Sequence, residues 1–266
     1  MEKIIGFIGA GNMGSAMAGG MISSGLIKKE NIIFSDINEE ALEKINKNLG
    51  VETTTDNIRV ADKADIIILA VKPNLYKTVI DEINDSIKDN SIIISIAAGV
   101  TVSNIENYFG REIKLARTMP NTPALVKEGM TALMPNNKLT WEEIKEIKSL
   151  LGTFGKVEIV EEKLIDSVIA VSGSSPAYVF MLIEAMGDAG VLEGMARDKA
   201  YYFAAQAVLG AAKMVLETGE HPGKLKDMVC SPGGTTIEAV AKLEERGFKS
   251  AVIEAMRVCA EKSRNM

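Results

Sequence analysis

The sequence predicts an α/β N-terminal domain on a mostly parallel sheet, followed by an all-α C-terminal domain. Three observations carry this reading. Up to about Val160, short β-branched runs alternate with amphipathic stretches. From Leu164 onward those runs vanish, and Ala, Gly and Met dominate. A glycine motif stands where the first run meets the first amphipathic stretch, at Gly9-Ala10-Gly11-Asn12-Met13-Gly14. Alternating elements with nearly continuous apolar strands argue for a sheet covered on both faces.

The strand candidates are Ile4–Ile8, Ile32–Phe34, Ile66–Val71, Ile92–Ile96, Ile113–Ala116, Thr131–Met134 and Val157–Val160. Between several of them lie helical patterns at Asn12–Ser24, Glu39–Asn48, Leu75–Ile83 and Trp141–Leu151. Thr140 followed by Glu143 forms a capping box that opens the last of these. The second half reads as four helices, with Gly219 and Gly247 where helix-ending glycines belong. One of them is apolar around much of its circumference (Tyr201 to Leu209), which requires cover on every side. A partner subunit is the expected cover, so the chain should self-associate. The composition shift divides the chain into residues 1–161 and 162–266.

Composition narrows the function classes. The chain has 266 residues, 47% hydrophobic and 25% charged, ordinary for a globular protein. Thirty basic residues against 36 acidic give a net charge of −6, so no nucleic-acid partner is expected. Two cysteines (Cys230, Cys259) and one histidine (His221) cannot supply a four-ligand Cys/His zinc site, and no metal is expected. No apolar stretch is expected to approach the ~18 residues of a spanning helix, Ile92–Val100 being nearer nine. With no secretory pattern at MEKIIGFIGAGNMG, the expectation is a cytoplasmic protein without a membrane partner.

The glycine motif follows a strand, opens a helix, and leads to a second strand ending at Ser35-Asp36, with the acid about 20 residues past Gly14. That is the dinucleotide-binding context of a Rossmann-like domain. Gly9 permits the tight turn, Gly11 lets the backbone approach the pyrophosphate, and Gly14 allows helix and strand to pack closely. Free N–H groups at the helix start, around Asn12 and Met13, would hold the anion. Asp36 would accept from a ribose hydroxyl and repel a 2′-phosphate. The cofactor is therefore NADH or NADPH, with NADH slightly favoured unless Lys28 or Lys29 folds over. Ala70-Val71-Lys72-Pro73 and Ala97-Ala98 sit at the carboxyl ends of two more strands, where such ligands bind.

A second chemical segment is Ser231-Pro232-Gly233-Gly234-Thr235-Thr236, which opens a helix. Ser231 suits a cap and Pro232 the first helical position. The glycines leave backbone N–H groups uncovered for a small carboxylate, although a well-capped helix alone explains the same pattern. Ser172-Gly173-Ser174-Ser175-Pro176 is a similar turn. His221 reads as a turn residue rather than a proton donor.

Taken in order, Phe7 to Gly14, Ala70 to Pro73, Ala97 to Val100, Met119-Pro120-Asn121-Thr122-Pro123, Ser172 to Tyr178, His221 to Gly223 and Ser231 to Thr236 resemble the pyrroline-5-carboxylate reductase family over nearly the whole chain. The resemblance implies a helical dimerisation domain, a homodimer and a decameric ring of dimers. It implies hydride transfer from NAD(P)H to 1-pyrroline-5-carboxylate, giving L-proline in the final step of proline biosynthesis. By position, Thr236 would hydrogen-bond the ring nitrogen as the catalytic residue. Ser174, Gly233, Gly234 and Thr235 would line the substrate site, with backbone N–H groups on the carboxylate. Asn57 and Lys72 fall at cofactor-contacting positions, and no polar role transfers to Met228. Two other readings are a non-catalytic dinucleotide sensor and a β-hydroxyacid dehydrogenase-like enzyme. The second expects a lysine that Ser174 to Met186 does not contain.

Overall fold

The computed structural model describes residues 2–265. Its N-terminal part alternates β1 (Ile5–Ile8), α1 (Asn12–Ser23), β2 (Ile32–Ser35), α2 (Glu39–Leu49), β3 (Glu52–Thr54), α3 (Asn57–Lys63) and β4 (Ile66–Leu69). It continues through α4 (Tyr76–Ile83), β5 (Ile92–Ser95), α5 (Val102–Phe109), β6 (Lys114–Met119), β7 (Gly129–Pro135), α6 (Trp141–Leu151) and β8 (Gly155–Ile159). The strands form one sheet in the order β3-β2-β1-β4-β5-β6-β7-β8. Every pair is parallel except β6 with β7. The order steps outward from β1 in both directions, so the crevice lies beyond the carboxyl ends of β1 and β4.

The isoleucine runs work as two-sided strands. Ile66, Ile68, Ile92 and Ile94 enter a core with Phe7, Phe34 and residues of α1, α2 and α6. Their neighbours Ile67, Leu69 and Ile93 enter a second core with residues of α3, α4 and α5. Phe7 and Phe34 stack at 4.3 Å between ring centroids, tying β1 to β2. Sequence reading missed β3, α3, α5 and a short helix at Pro222–Val229. β3 has no apolar residue to mark it, and both missed helices of the first half follow a side-chain cap. Asp56 caps α3, and Thr101 with Asn104 forms a capping box on α5.

Among buried side-chain polar atoms of the described residues, Thr131 Oγ1 on β7 has no hydrogen-bond partner. Replacing it with a methyl group removes an unpaid desolvation cost. Thr131→Val is expected to stabilise the protein by about 1 kcal/mol and raise Tm by a few degrees. A lower Tm by calorimetry would show that the hydroxyl has a partner in solution.

The chain then runs through α7 (Ile165–Val168), a π-helical turn (Ile169–Gly173), α8 (Ser175–Leu192), α9 (Arg197–Thr218), α10 (Pro222–Val229), α11 (Thr235–Glu245) and α12 (Phe248–Arg264). Compact units divide at Gly173/Ser174, later than the composition shift, and residues 263–265 return to the first unit. Residues 162–173 belong to the first unit because its polar groups hold them. Glu162 Oε1 accepts from the buried Arg117 guanidinium at 2.7 Å and from the Val102 N–H at 2.8 Å. Asn121 Nδ2 donates to the Ser172 carbonyl at 2.9 Å.

The second unit, residues 174–262, buries few of its own side chains. Phe180, Met181, Tyr202, Phe203 and Leu216 are all exposed. The helical stretch Glu162–Leu192, 31 residues long, contains an 18-residue window of mean hydropathy 1.5 and is long and apolar enough by length and composition to cross a membrane. This corrects the expectation that no segment reaches that length. Small and polar residues interrupt its apolar runs without lowering its average much.

Candidate functional site

Every residue expected at the cofactor site lines one cavity of about 600 Å³: Gly9, Gly11, Asn12, Met13, Gly14, Ser35, Asp36, Asn57, Ala70, Val71, Lys72, Pro73, Ala97 and Ala98. That volume lies within the range of small-molecule and cofactor pockets. Gly9 has φ +109°, and a Cβ there would lie 2.6 Å from the Ala70 carbonyl carbon and oxygen. At Gly11 an added Cβ would meet nothing within 4 Å, so the bare backbone faces open space. No side chain caps α1 and no acid occupies its first turn. Its first N–H groups are therefore left for an anion. A pyrophosphate fits this cradle, and the residues present suit a dinucleotide.

Asp36 does more than the sequence reading foresaw. Its Oδ2 accepts from the Ala10 N–H at 2.6 Å and its Oδ1 from the Asn38 N–H at 2.9 Å. The carboxylate thus braces the glycine loop from the end of β2. Gly9 N–H also donates to the Ser35 carbonyl at 2.8 Å. Lys28 and Lys29 precede β2, at its opposite end from Asp36, and neither lines the cavity. Asp36 and Lys72 are the acid and the base among the lining residues.

Several contributors were not legible in sequence. Ile37, Leu75, Val79 and Ile96 add apolar wall. Tyr76 pins the strand ends beneath the cavity. Its hydroxyl donates to the Leu69 carbonyl at 2.8 Å and lies 3.0 Å from Ser95 Oγ. Burial pushes the Tyr76 phenol up to about 12, so it stays neutral at physiological pH. Nothing in the spacing marks Tyr76, since its partners lie on β4 and β5.

The expected substrate residues belong to the second unit. Here the capping reading needs correction. Ser231 does not cap α11, and Pro232 is not its first residue. The Ser231 carbonyl instead accepts from the Gly234 N–H at 3.0 Å, closing a turn with Gly233 at φ +68°. The helix begins at Thr235 with Gly234 at its N-cap and no side-chain cap. Two consecutive glycines make the extra turn affordable and leave the first N–H groups of α11 open. A Cβ at Gly234 would press on the Ser231 hydroxyl, which would have to turn away, and would sit 3.1 Å from the Ser231 carbonyl oxygen. Thr236 is half-buried in the first turn of α11, whereas Thr235 is exposed. Ser174 is held by the Cys259 thiol, 3.3 Å from its Oγ.

His221 caps α10, with Nδ1 accepting from the Gly223 N–H at 3.0 Å. Its structural role agrees with the turn expected for it. No group of three or more Cys, His, Asp or Glu suited to a metal occurs among the described residues.

The comparisons bear on both halves. Residues 162–266 match a model described as pyrroline-5-carboxylate reductase dimerisation, and residues 4–99 match one described as NADP oxidoreductase, coenzyme F420-dependent. Over 266 residues the chain is 53% identical to the pyrroline-5-carboxylate reductase of Escherichia coli strain K12, covering 100% of this chain and 99% of that protein. The chain belongs to the pyrroline-5-carboxylate reductase family. A solved reductase of that family from Coxiella burnetii superposes with a TM-score of 0.92 at 35% identity, covering 100% of this chain and 98% of the other. The Plasmodium falciparum structure, solved with NADP bound, gives 0.89 at 33% identity with the same coverages. Membership gives the exposed second unit its meaning, since it spans most of the dimerisation region.

Proposed function

We propose that this chain reduces 1-pyrroline-5-carboxylate to L-proline with NAD(P)H. The observation that carries the reading is the match of the whole chain, cleft and glycine–threonine segment included, to reductases of that name. When bound, the reduced nicotinamide supplies a hydride. The C=N carbon takes the hydride and the ring nitrogen takes a proton, so the imine becomes a secondary amine. Protonation before reduction makes that carbon electrophilic without a strong general acid, which suits a chain whose one histidine caps a helix. Most of the catalytic work is then positioning. Thr236 would hydrogen-bond the ring nitrogen, the uncapped start of α11 would hold the carboxylate, and Ser174 would complete the site.

The preferred cofactor is NADH. Asp36 is fixed by two backbone N–H groups, so its charge cannot swing away from a 2′-phosphate. Like charges about 4 Å apart cost about 1 kcal/mol in water and about 4 kcal/mol at an effective dielectric of 20. Asp36→Ser should therefore raise the NADPH/NADH ratio of kcat/KM about tenfold or more. An unchanged ratio removes Asp36 from cofactor selection.

The apolar faces of α8 and α9 suit a homodimer and a decameric ring of such dimers. Both cysteines are free, in keeping with a reducing cytoplasm. The deciding assay follows NADH and NADPH oxidation at 340 nm with 1-pyrroline-5-carboxylate as acceptor. Turnover establishes the reaction. Folded protein that binds cofactor without turnover would be a sensor instead.

A further inference from the structure

Asn57 is the first residue of α3, is buried, and lines the cavity. Its Oδ1 accepts from Ser35 Oγ at 2.7 Å, and its Nδ2 donates to Glu82 Oε2 at 2.8 Å. Glu82 lies on α4, is exposed, and does not itself line the cavity.

A side-chain amide has two orientations of almost equal shape, related by a half-turn. Its neighbours choose between them. Ser35 cannot choose, because a hydroxyl donates to an amide oxygen or accepts from an amide nitrogen equally well. Glu82 can choose, because an ionised carboxylate only accepts. Turning the amide over would set its oxygen against the carboxylate. Each bond to Glu82 or Ser35 also leaves Asn57 with capacity to spare: one hydrogen on Nδ2 and one lone pair on Oδ1.

We propose that Glu82 is a positioning residue for the cofactor. It locks the Asn57 amide so that the unused hydrogen and lone pair are presented to the cleft in one fixed arrangement. This rests on the cofactor reading above. The bond is charge-assisted, which strengthens the lock.

The test measures Kd for NADH and for NADPH by calorimetry on the purified protein and on Glu82→Leu, Glu82→Gln and Asn57→Ala, alone and combined. Glu82→Leu should raise both Kd values about tenfold, with the loss falling on cofactor KM rather than kcat. Glu82→Gln restores a carbonyl acceptor and should recover most of that loss. In the Asn57→Ala background, Glu82→Leu should cost nothing more, because the group it orients is gone. Unchanged affinity in Glu82→Leu overturns the inference, as does full additivity with Asn57→Ala. A selective gain of NADPH affinity in both Glu82 variants also overturns it, since that would make Glu82 a simple repelling charge. If the unaltered protein binds neither nucleotide, the cofactor reading itself fails and this inference with it. Thermal unfolding of each variant separates misfolding from loss of orientation.

Discussion

Gly9→Ala is expected to abolish NADH and NADPH binding and to lower Tm by roughly 10 °C. Two costs add. A φ of +109° is one that an L side chain rarely adopts. The new Cβ would also press on the Ala70 carbonyl group at 2.6 Å, and backbone yields less readily than a flexible side chain. Together these are worth about 3 kcal/mol or more, which maps to several degrees of Tm per domain of this size. Relief requires β1 and β4 to part, and the crevice is built where they end. Gly14→Ala is the comparison. Its Cβ would meet the Gly9 carbonyl at 3.2 Å and the Phe34 and Phe7 rings at 3.5 Å, so a smaller loss is expected. Equal damage in both variants would mean that helix packing, rather than the turn, governs the loop.

Thr236→Ala should lower kcat/KM for the imine by roughly 10- to 100-fold, the worth of a hydrogen bond to a charged group. Its hydroxyl has no hydrogen-bond partner among the described residues, so it is available to a ligand. Cofactor Kd should not change, because the cavity that gathers the glycine motif draws all its lining from the first unit. Thr236→Ser keeps the hydroxyl and should recover most of the rate. Steady-state kinetics that are the same in Thr236→Ala and the unaltered protein would remove this residue from the mechanism.

Much of the first unit was legible because its strands announce themselves. Ile66 to Leu69 and Ile92 to Ser95 face apolar cores on both sides, so burial needs no alternation and leaves an unbroken run. The glycine motif was legible for a related reason, since turn, approach and packing each demand the same residue. Glu52 to Thr54 stayed hidden because an edge strand without a buried side chain has no such demand. Ser231 was misread because a serine before a proline fits a cap as well as a turn, and only the two following glycines tip the balance. Glu82 and Tyr76 were out of reach for another reason. Their significance lies in partners 25 and 7 to 19 residues away, brought near by the sheet.

The chain leaves the first unit at Gly173 and comes back to it at Ser263, whose hydroxyl donates to Asp166 at 2.6 Å. That contact closes a loop of 97 residues. Closing it through unfolded chain costs about 4 kcal/mol in configurational entropy, beyond the constant for any closure. One hydrogen bond cannot offset that sum. During folding the C-terminal segment therefore docks late, after the intervening helices have shortened the effective loop. Protection of the α12 amides in a pulse of hydrogen exchange then dates formation of that helix, the step that must come before the Ser263 hydroxyl can dock on Asp166.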